Sequence, residues 1–320
     1  MDKRKLLITE SLDFSVKTIN LLKTYYEVII KDIKDEEELI HYIKDVEVIF
    51  IRLKFKISKE VINKATNLKY ILTATTGLDH IDLNYFNNKG GHVISLKGAY
   101  DFLSSIPSTA EHSWGLILSL VRSIPQSYTS VMEGEWHRDR FKGHNLKSLK
   151  LGILGLGRVG KQVETYAKAF GMETGFYDTD QTKSSNNSLE FKTAKALFEW
   201  ANIISIHIPL NEENICFVNE ERLKCLKPSS YLINTSRGAI IDELAVESLL
   251  KHNKIKGYAT DVLSEEIQAN IADNPIVKLA KQGYNVIITP HLAGCTYESM
   301  QMTEDFVSEL FIEKYLSFEE

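Results

Sequence analysis

Residues 149–178 read LKLGILGLGRVGKQVETYAKAFGMETGFYD, and the order of their parts decides the fold. LGIL is an apolar run of strand length, GLGRVG is a glycine loop, KQVETYAKAF has helical character, and ETGFY is a second apolar run. In a βαβ unit of this kind Gly155 permits the tight turn and Gly157 lets backbone amides approach a pyrophosphate. Gly160 allows the helix to pack closely on the strand, and the helix N-terminus favours the phosphate charge. An acidic residue is expected about 20 positions on, at the end of the second strand; Asp178 stands there. Its carboxylate can accept hydrogen bonds from ribose hydroxyls and repels a 2′-phosphate, which favours NAD over NADP. Three turn glycines and a surface Asp are the plain alternative, against which the order of elements argues.

Downstream the alternation continues through NIISIHI (from 202), SYLINT (from 230), KGYATDV (from 256) and NVIIT (from 285). Upstream an independent series runs through KLLI (5), YEVII (26), VEVIFI (46), YILTA (70) and HVISL (92), with stretches suited to crossover helices at 11–21, 36–43, 58–65 and 81–88. Repeated βα units imply parallel sheets. The expected fold class is therefore α/β, with two doubly wound parallel-sheet domains facing each other across a cleft. Between the two series, residues 107–132 have no strand signal. Trp114, Leu116, Ile117, Leu120 and Val121 recur at helical spacing, which predicts one long, largely buried helix that Pro125 kinks or restarts. DTDQTKSSNNSLE at 178–190 is expected to be a polar, exposed loop.

The chain of 320 residues suits two domains of about 100–200 residues each. Its formal charge of −5 is too weak to suggest a nucleic-acid or membrane-surface partner. Cys216, Cys225 and Cys295 are odd in number and lack CxxC spacing, so neither a disulfide framework nor a zinc site is indicated. No apolar run reaches the roughly 20 residues of a membrane span, and MDKRKLLITE does not read as an export signal, so none is expected. A cytoplasmic protein is expected.

Three residues near strand ends in the second series have the chemistry of hydride transfer from an alcohol. Arg237, in NTSRGAIID, follows the run YLIN and can clamp a carboxylate bidentately. Glu266 and His291 follow the next two runs. A histidine held by a carboxylate is a suitable base for a hydroxyl proton. Taken singly, each has a bland reading: a salt-bridging arginine, one charge of a surface run, and a turn histidine after Pro290.

At this point the chain resembles the D-isomer-specific 2-hydroxyacid dehydrogenases. The resemblance is carried in order by TTGLDHID (75–82), STAEHSWGLILSLVR (108–122), LKLGILGLGRVGKQV (149–163), IHIPLNEEN (206–214), LKPSSYLINTSRGAIIDE (226–243), ATDVLSEE (259–266) and TPHLAG (289–294). It implies that Arg237, Glu266 and His291 are catalytic. It also implies a nucleotide site of Gly155, Gly157, Arg158, Val159, Gly160, Asp178, His207, Pro209, Thr235, Ser236, Asp261 and His291, with Asp261 holding the nicotinamide amide. A flavodoxin-like substrate domain is expected over 1–102, completed by 296–320, and a Rossmann NAD-binding domain over 103–295. Thr76, Gly77 and Leu78 would offer backbone amides to the substrate carboxylate, with Arg237 and His291 beside it. Glu266, where formate dehydrogenases of the superfamily carry Gln, argues for alcohol chemistry. The position after it is Ile267 rather than the family's usual Pro.

The expected reaction interconverts a D-2-hydroxy acid and its 2-oxo acid. Arg52 and Lys54, in the basic segment RLKFK, suggest an anionic substrate such as D-3-phosphoglycerate or glycerate, although two solvated surface cations are as good a reading. A regulatory amino-acid-binding domain is not expected, because the chain stops at Glu320. Some relatives are NAD-sensing corepressors that bind protein partners, which leaves a low-turnover binding protein as the alternative. A homodimer is expected by similarity, with residues 108–122 as the contact or, alternatively, as a helix buried within its own domain.

Overall fold

Short apolar strands separated by amphipathic helices leave both faces of a sheet to be covered, and the chain does this twice. The computed structural model describes residues 4–266 and 270–316. It divides into two compact units, one of Met1–Ser105 with Cys295–Glu320 and one of Ile106–Gly294.

The first unit has strands β1 (Lys5–Ile8), β2 (Glu27–Ile30), β3 (Val48–Ile51), β4 (Tyr70–Thr73) and β5 (His92–Ser95) in the order β2-β1-β3-β4-β5, all parallel. This is the flavodoxin-like order, whose switch point lies between β1 and β3. Leu7, Ile49 and Ile71 are fully buried in the centre of the sheet. The terminal helix Tyr297–Tyr315 returns to this unit. Phe311 packs against Tyr70 with ring centroids 5.0 Å apart, and Phe306 stacks on Phe102 at 4.1 Å. A polar staple fixes the same helix. Glu304, 1% exposed, accepts from Arg52 Nε and Nη2 at 3.0 and 2.7 Å and from the Ser15 amide at 2.8 Å.

The second unit carries β6 (Lys150–Leu154), β7 (Glu173–Tyr177), β8 (Leu189–Glu190), β9 (Ile203–Ile206), β10 (Tyr231–Asn234), β11 (Gly257–Thr260) and β12 (Val286–Ile288). Their order is β12-β11-β10-β9-β6-β7-β8, with the pairs parallel throughout. The winding reverses between β6 and β9, the crevice position at which doubly wound sheets bind ligands.

Two sequence expectations need correction here. Residues 107–132 form two helices, Ser108–Val121 and Ile124–Met132, rather than one. A helix continued through Pro125 would drive the proline ring into the Val121 carbonyl. The chain instead turns at Ser123, φ 51°, and Pro125 enters the first turn of a new helix, where no amide is needed. Only the first helix is largely buried; Tyr128, Val131 and Met132 of the second are exposed. The segment 178–190 ends in β8, which extends the sheet beyond β7, and the buried Glu164 accepts hydroxyl hydrogen bonds from Ser185 and Ser188. A two-residue strand has too little periodicity to show in sequence.

Candidate active site

The parallel register of the second sheet sets Tyr177, Leu154, Ile206, Asn234, Thr260 and Ile288 side by side, one from each of β7, β6, β9, β10, β11 and β12. The next residue along each strand is Asp178, Gly155, His207, Thr235, Asp261 and Thr289, respectively. One row of backbone pairing thus delivers the expected nucleotide-site residues and the starts of the catalytic loops to one edge.

At the centre of that edge the glycine loop is under tight constraint. Gly155 has φ +95°, and a side chain there would meet the His207 carbonyl at 2.8 Å. Asp178 Oδ2 accepts from the Leu156 amide at 2.8 Å, so the acid at the end of β7 also ties down the loop. A side chain at Gly157, by contrast, would meet no protein atom within 4 Å. The space there suits something that approaches from outside the protein. Arg158, on the same loop, donates to the Ile106 carbonyl at 2.9 Å, and burial lowers its pKa. Among the described residues no carboxylate pairs with it. A desolvated cation beside an open glycine loop and a helix N-terminus fits a nucleotide pyrophosphate. Val159 lies on the first turn of that helix, Arg158–Ala169. Pro209 lies in the segment after β9. His207 pairs through Nε2 with Ser205 Oγ at 2.8 Å, and burial, with the Arg158 charge, pushes its pKa down to about 3.

The turn after β10 is built by Asn234, fully buried, whose side chain donates to the Arg237 carbonyl at 2.9 Å and accepts from the Ser236 amide at 3.0 Å. Ser236 Oγ donates to the Ile206 carbonyl, and Thr235 Oγ1 pairs with Ser113 Oγ at 2.7 Å. Arg237, half-buried, donates from Nη1 to the Ser236 carbonyl at 2.8 Å. Gly238 is required by close approach: a side chain there would lie 2.1 Å from the Leu263 carbonyl carbon. The Arg237 turn is thus pressed against the loop that carries Glu266.

Glu266 and His291 are brought together directly. Oε1 of Glu266 hydrogen-bonds His291 Nδ1, while Oε2 accepts from the Leu263 amide at 3.0 Å. Ile267 lies outside the described residues. His291 sits at φ 52°, in the left-handed region. Asp261 holds it there: Oδ1 accepts from Thr289 Oγ1 at 2.5 Å and the Leu292 amide at 2.9 Å, and Oδ2 from the Ala293 amide at 2.8 Å. Burial alone would raise the Asp261 pKa. Hydrogen bonds from His112, Thr289 and the two amides overcome this and hold the carboxyl below its usual range. Because Thr289 Oγ1 has a single hydrogen, which goes to Asp261, it accepts from His112 Nε2 at 2.9 Å, and the same N–H is shared with Asp261 Oδ1 at 3.4 Å. Asp261 therefore shapes the backbone around His291, a role the sequence reading did not give it.

In the first unit the turn after β4 is fixed by Thr75 Oγ1, which donates to the Gly77 carbonyl at 2.9 Å. The amides of Thr76, Gly77 and Leu78 donate to no other described residue, in keeping with the expected anion contact. The expectation for Arg52 changes. Its guanidinium is engaged by Glu304 and the Leu12 carbonyl, and it lies 5.4 Å from the Phe14 ring centroid. Lys54 donates to the Ile33 carbonyl at 2.5 Å. Both cations are committed inside the unit, because a buried Glu304 and an open carbonyl demand partners.

His112, Asn234, Gly238, Glu243 and Thr289 were given no role from sequence. All five lie inside the motif blocks that carry the resemblance, but only the fold shows what each touches. Among the described residues no group of three or more His, Cys, Asp or Glu could hold a metal ion, and no helix is long and apolar enough to cross a membrane.

Residues 114–293 match the family model for the NAD binding domain of D-isomer specific 2-hydroxyacid dehydrogenases. The chain is 37% identical over 308 residues to a D-3-phosphoglycerate dehydrogenase of Methanocaldococcus jannaschii, covering 95% of this chain and 56% of that protein. It is 30% identical to a hydroxypyruvate reductase of Thermotoga maritima, covering 98% of this chain and 99% of that one. The chain thus spans about half the length of the first relative and nearly all of the second. Its fold superimposes on D-lactate dehydrogenase from Aquifex aeolicus, solved with NAD and lactic acid, with a TM-score of 0.84 and 28% identity, covering 98% of this chain and 97% of that one. With its glycine loop, its Glu266–His291 pair and the family's NAD binding domain, the chain belongs to the D-isomer-specific 2-hydroxyacid dehydrogenase family.

Proposed function

We propose that the protein interconverts a small D-2-hydroxy acid and its 2-oxo acid with NAD as the redox partner. The observation that carries this reading is the Glu266–His291 hydrogen bond at the same sheet edge as the glycine loop. Bound NADH supplies the hydride for C2 of the 2-oxo acid, and NAD⁺ accepts it in the reverse direction. Arg237 binds the substrate carboxylate. His291 gives a proton from Nε2 to the C2 oxygen on reduction and takes it back on oxidation, while Glu266 holds Nδ1 and so fixes which nitrogen faces the substrate. Asp178 receives the adenosine ribose and Arg158 the pyrophosphate. Asp261 has its carboxylate oxygens turned to the His291 loop, and contacts the nicotinamide amide only with its remaining acceptor capacity.

Hydroxypyruvate and glyoxylate suit the substrate role best, because the cations once assigned to a phosphate are committed to Glu304 and Ile33. Phosphohydroxypyruvate is the second reading, favoured by the 37% identity to a D-3-phosphoglycerate dehydrogenase. A panel of these acids with pyruvate, assayed by NADH oxidation, tests the reading. Turnover should appear with at least one and fall by roughly a hundredfold in His291→Ala with NADH binding retained. Near-normal turnover in that variant contradicts the role of His291.

A homodimer is part of the proposal; burial of Trp114, Leu116, Ile117, Leu120 and Val121 in the second unit's own core supports the helix Ser108–Val121 as an element of its own domain rather than as the contact. The next segment offers a better surface. Tyr128 and Met132 are about two-thirds exposed and Trp136 is 85% exposed. Trp136 also contributes, with Leu118, Ile124, Val131 and Phe141, to the wall of a cavity of about 640 Å³. An exposed indole in the wall of a cavity lined by both apolar and charged residues suits a second copy of the chain.

A further inference from the structure

Glu243 opens the helix Glu243–Lys251 and is 8% exposed. An acid in the first turn of a helix is ordinarily solvated and interacts with the helix dipole from the surface. Burying a carboxylate is costly unless its oxygens are satisfied, and both oxygens of this one are used on a single loop. Oε1 accepts from the Ser264 amide at 2.8 Å, and Oε2 accepts from Asn274 Nδ2 at 2.7 Å. Ser264 lies two residues before Glu266 and Asn274 eight residues after it. Asn274 is not free to turn its amide, because Oδ1 caps the helix Pro275–Lys281 by accepting from the Ile276 and Val277 amides. The same loop is pressed at Leu263 and Ser264 against Gly238. Glu266, between these fixed points, meets the Leu263 amide and His291 Nδ1.

We propose that Glu243 is a positioning residue that brackets the Glu266 loop at both ends and so holds the Glu266 carboxylate on His291 Nδ1. It touches neither substrate nor cofactor. The proposal rests on Glu266 and His291 being the proton-transfer pair, and its test is chosen to be readable without turnover.

Glu243→Gln keeps the volume but turns an NH₂ group toward one of the two N–H donors, so one bracket contact is lost. Glu243→Asp keeps both acceptors on a side chain one methylene shorter. Each is compared with the wild type and with Glu247→Gln, on the same helix, for kcat, KM for NADH, thermal midpoint and the His291 Nδ1 proton resonance, which is identified by its loss in His291→Ala. We expect Glu243→Gln to lower kcat by about ten- to a hundredfold, to leave KM for NADH within about twofold, and to shift or broaden the imidazole resonance. Glu243→Asp should retain more of both, and Glu247→Gln should change neither. A folded Glu243→Gln protein with kcat and resonance unchanged overturns the proposal. If Glu243→Gln does not fold, a wild-type resonance in Glu243→Asp together with wild-type kcat overturns it. Should the wild type turn over no 2-oxo acid while the resonance still depends on Glu243, the functional reading fails and the positioning role stands.

Discussion

His291 combines two features that rarely coincide by accident: a non-glycine backbone at φ 52° and an imidazole held by Glu266. The neighbouring amides of Leu292 and Ala293, both donating to Asp261, keep the backbone in that conformation. None of this could be read from TPHLAG, because the clamp joins residues about thirty positions apart through β-sheet pairing. Strand-end placement singled out Arg237, Glu266 and His291, and only the family resemblance gave them catalytic roles; their supports were not legible. A second histidine gives a prediction at this scale. His207 falls from 6.5 to about 3 through burial and the Arg158 charge. Between those values the unfolded chain binds a proton that the folded chain refuses. Its contribution is complete above pH 6.5 and is lost as pH falls toward 3, at up to about 1.4 kcal/mol per pH unit. Urea titrations at several pH values should show this slope reduced in His207→Gln, whose amide can still meet Ser205; an unchanged slope contradicts the assignment.

At the scale of elements, the level ends of β6, β7, β9, β10, β11 and β12 do the assembling. The strands were legible because fully buried parallel strands are continuous apolar runs. Their alignment, and the contacts between the loops that follow, depend on register and on small residues such as Gly238. Gly238→Ala places a methyl group 2.1 Å from the Leu263 carbonyl carbon, so the Glu266 loop must move. The variant should lose about 1–3 kcal/mol of stability by denaturant titration and lose more in kcat than in NADH affinity. Arg52 shows the opposite limit. Its sequence context suggested a ligand contact, but its partner, Glu304, is 252 positions away. Arg52→Ala leaves Glu304 buried without a counter-charge and should cost about 3–5 kcal/mol of stability, while KM for a 2-oxo acid at low temperature stays near the wild-type value. A large rise in KM with little loss of stability would restore Arg52 to the substrate site.

For the whole molecule, two parallel sheets of different strand order follow from two series of βα units separated by helical residues 108–132. The return of the terminal helix to the first sheet was legible only through the family resemblance. The helix is anchored by Phe306, Phe311 and Glu304, each paired with residues far back in the chain. The exposed apolar surface around Trp136 predicts self-association. Sedimentation should give a dimer for the wild type and a concentration-dependent shift to monomer for Trp136→Ala; a monomeric wild type contradicts it. The functional claim itself is most directly tested by the fate of the hydride. NADH carrying deuterium at both nicotinamide C4 positions, incubated with the protein and the most active 2-oxo acid of the panel, should give a 2-hydroxy acid of D configuration carrying deuterium at C2, formed roughly a hundredfold more slowly in His291→Ala. Tight NADH binding without deuterium transfer to any acid of the panel, or transfer that gives the L isomer, would contradict it.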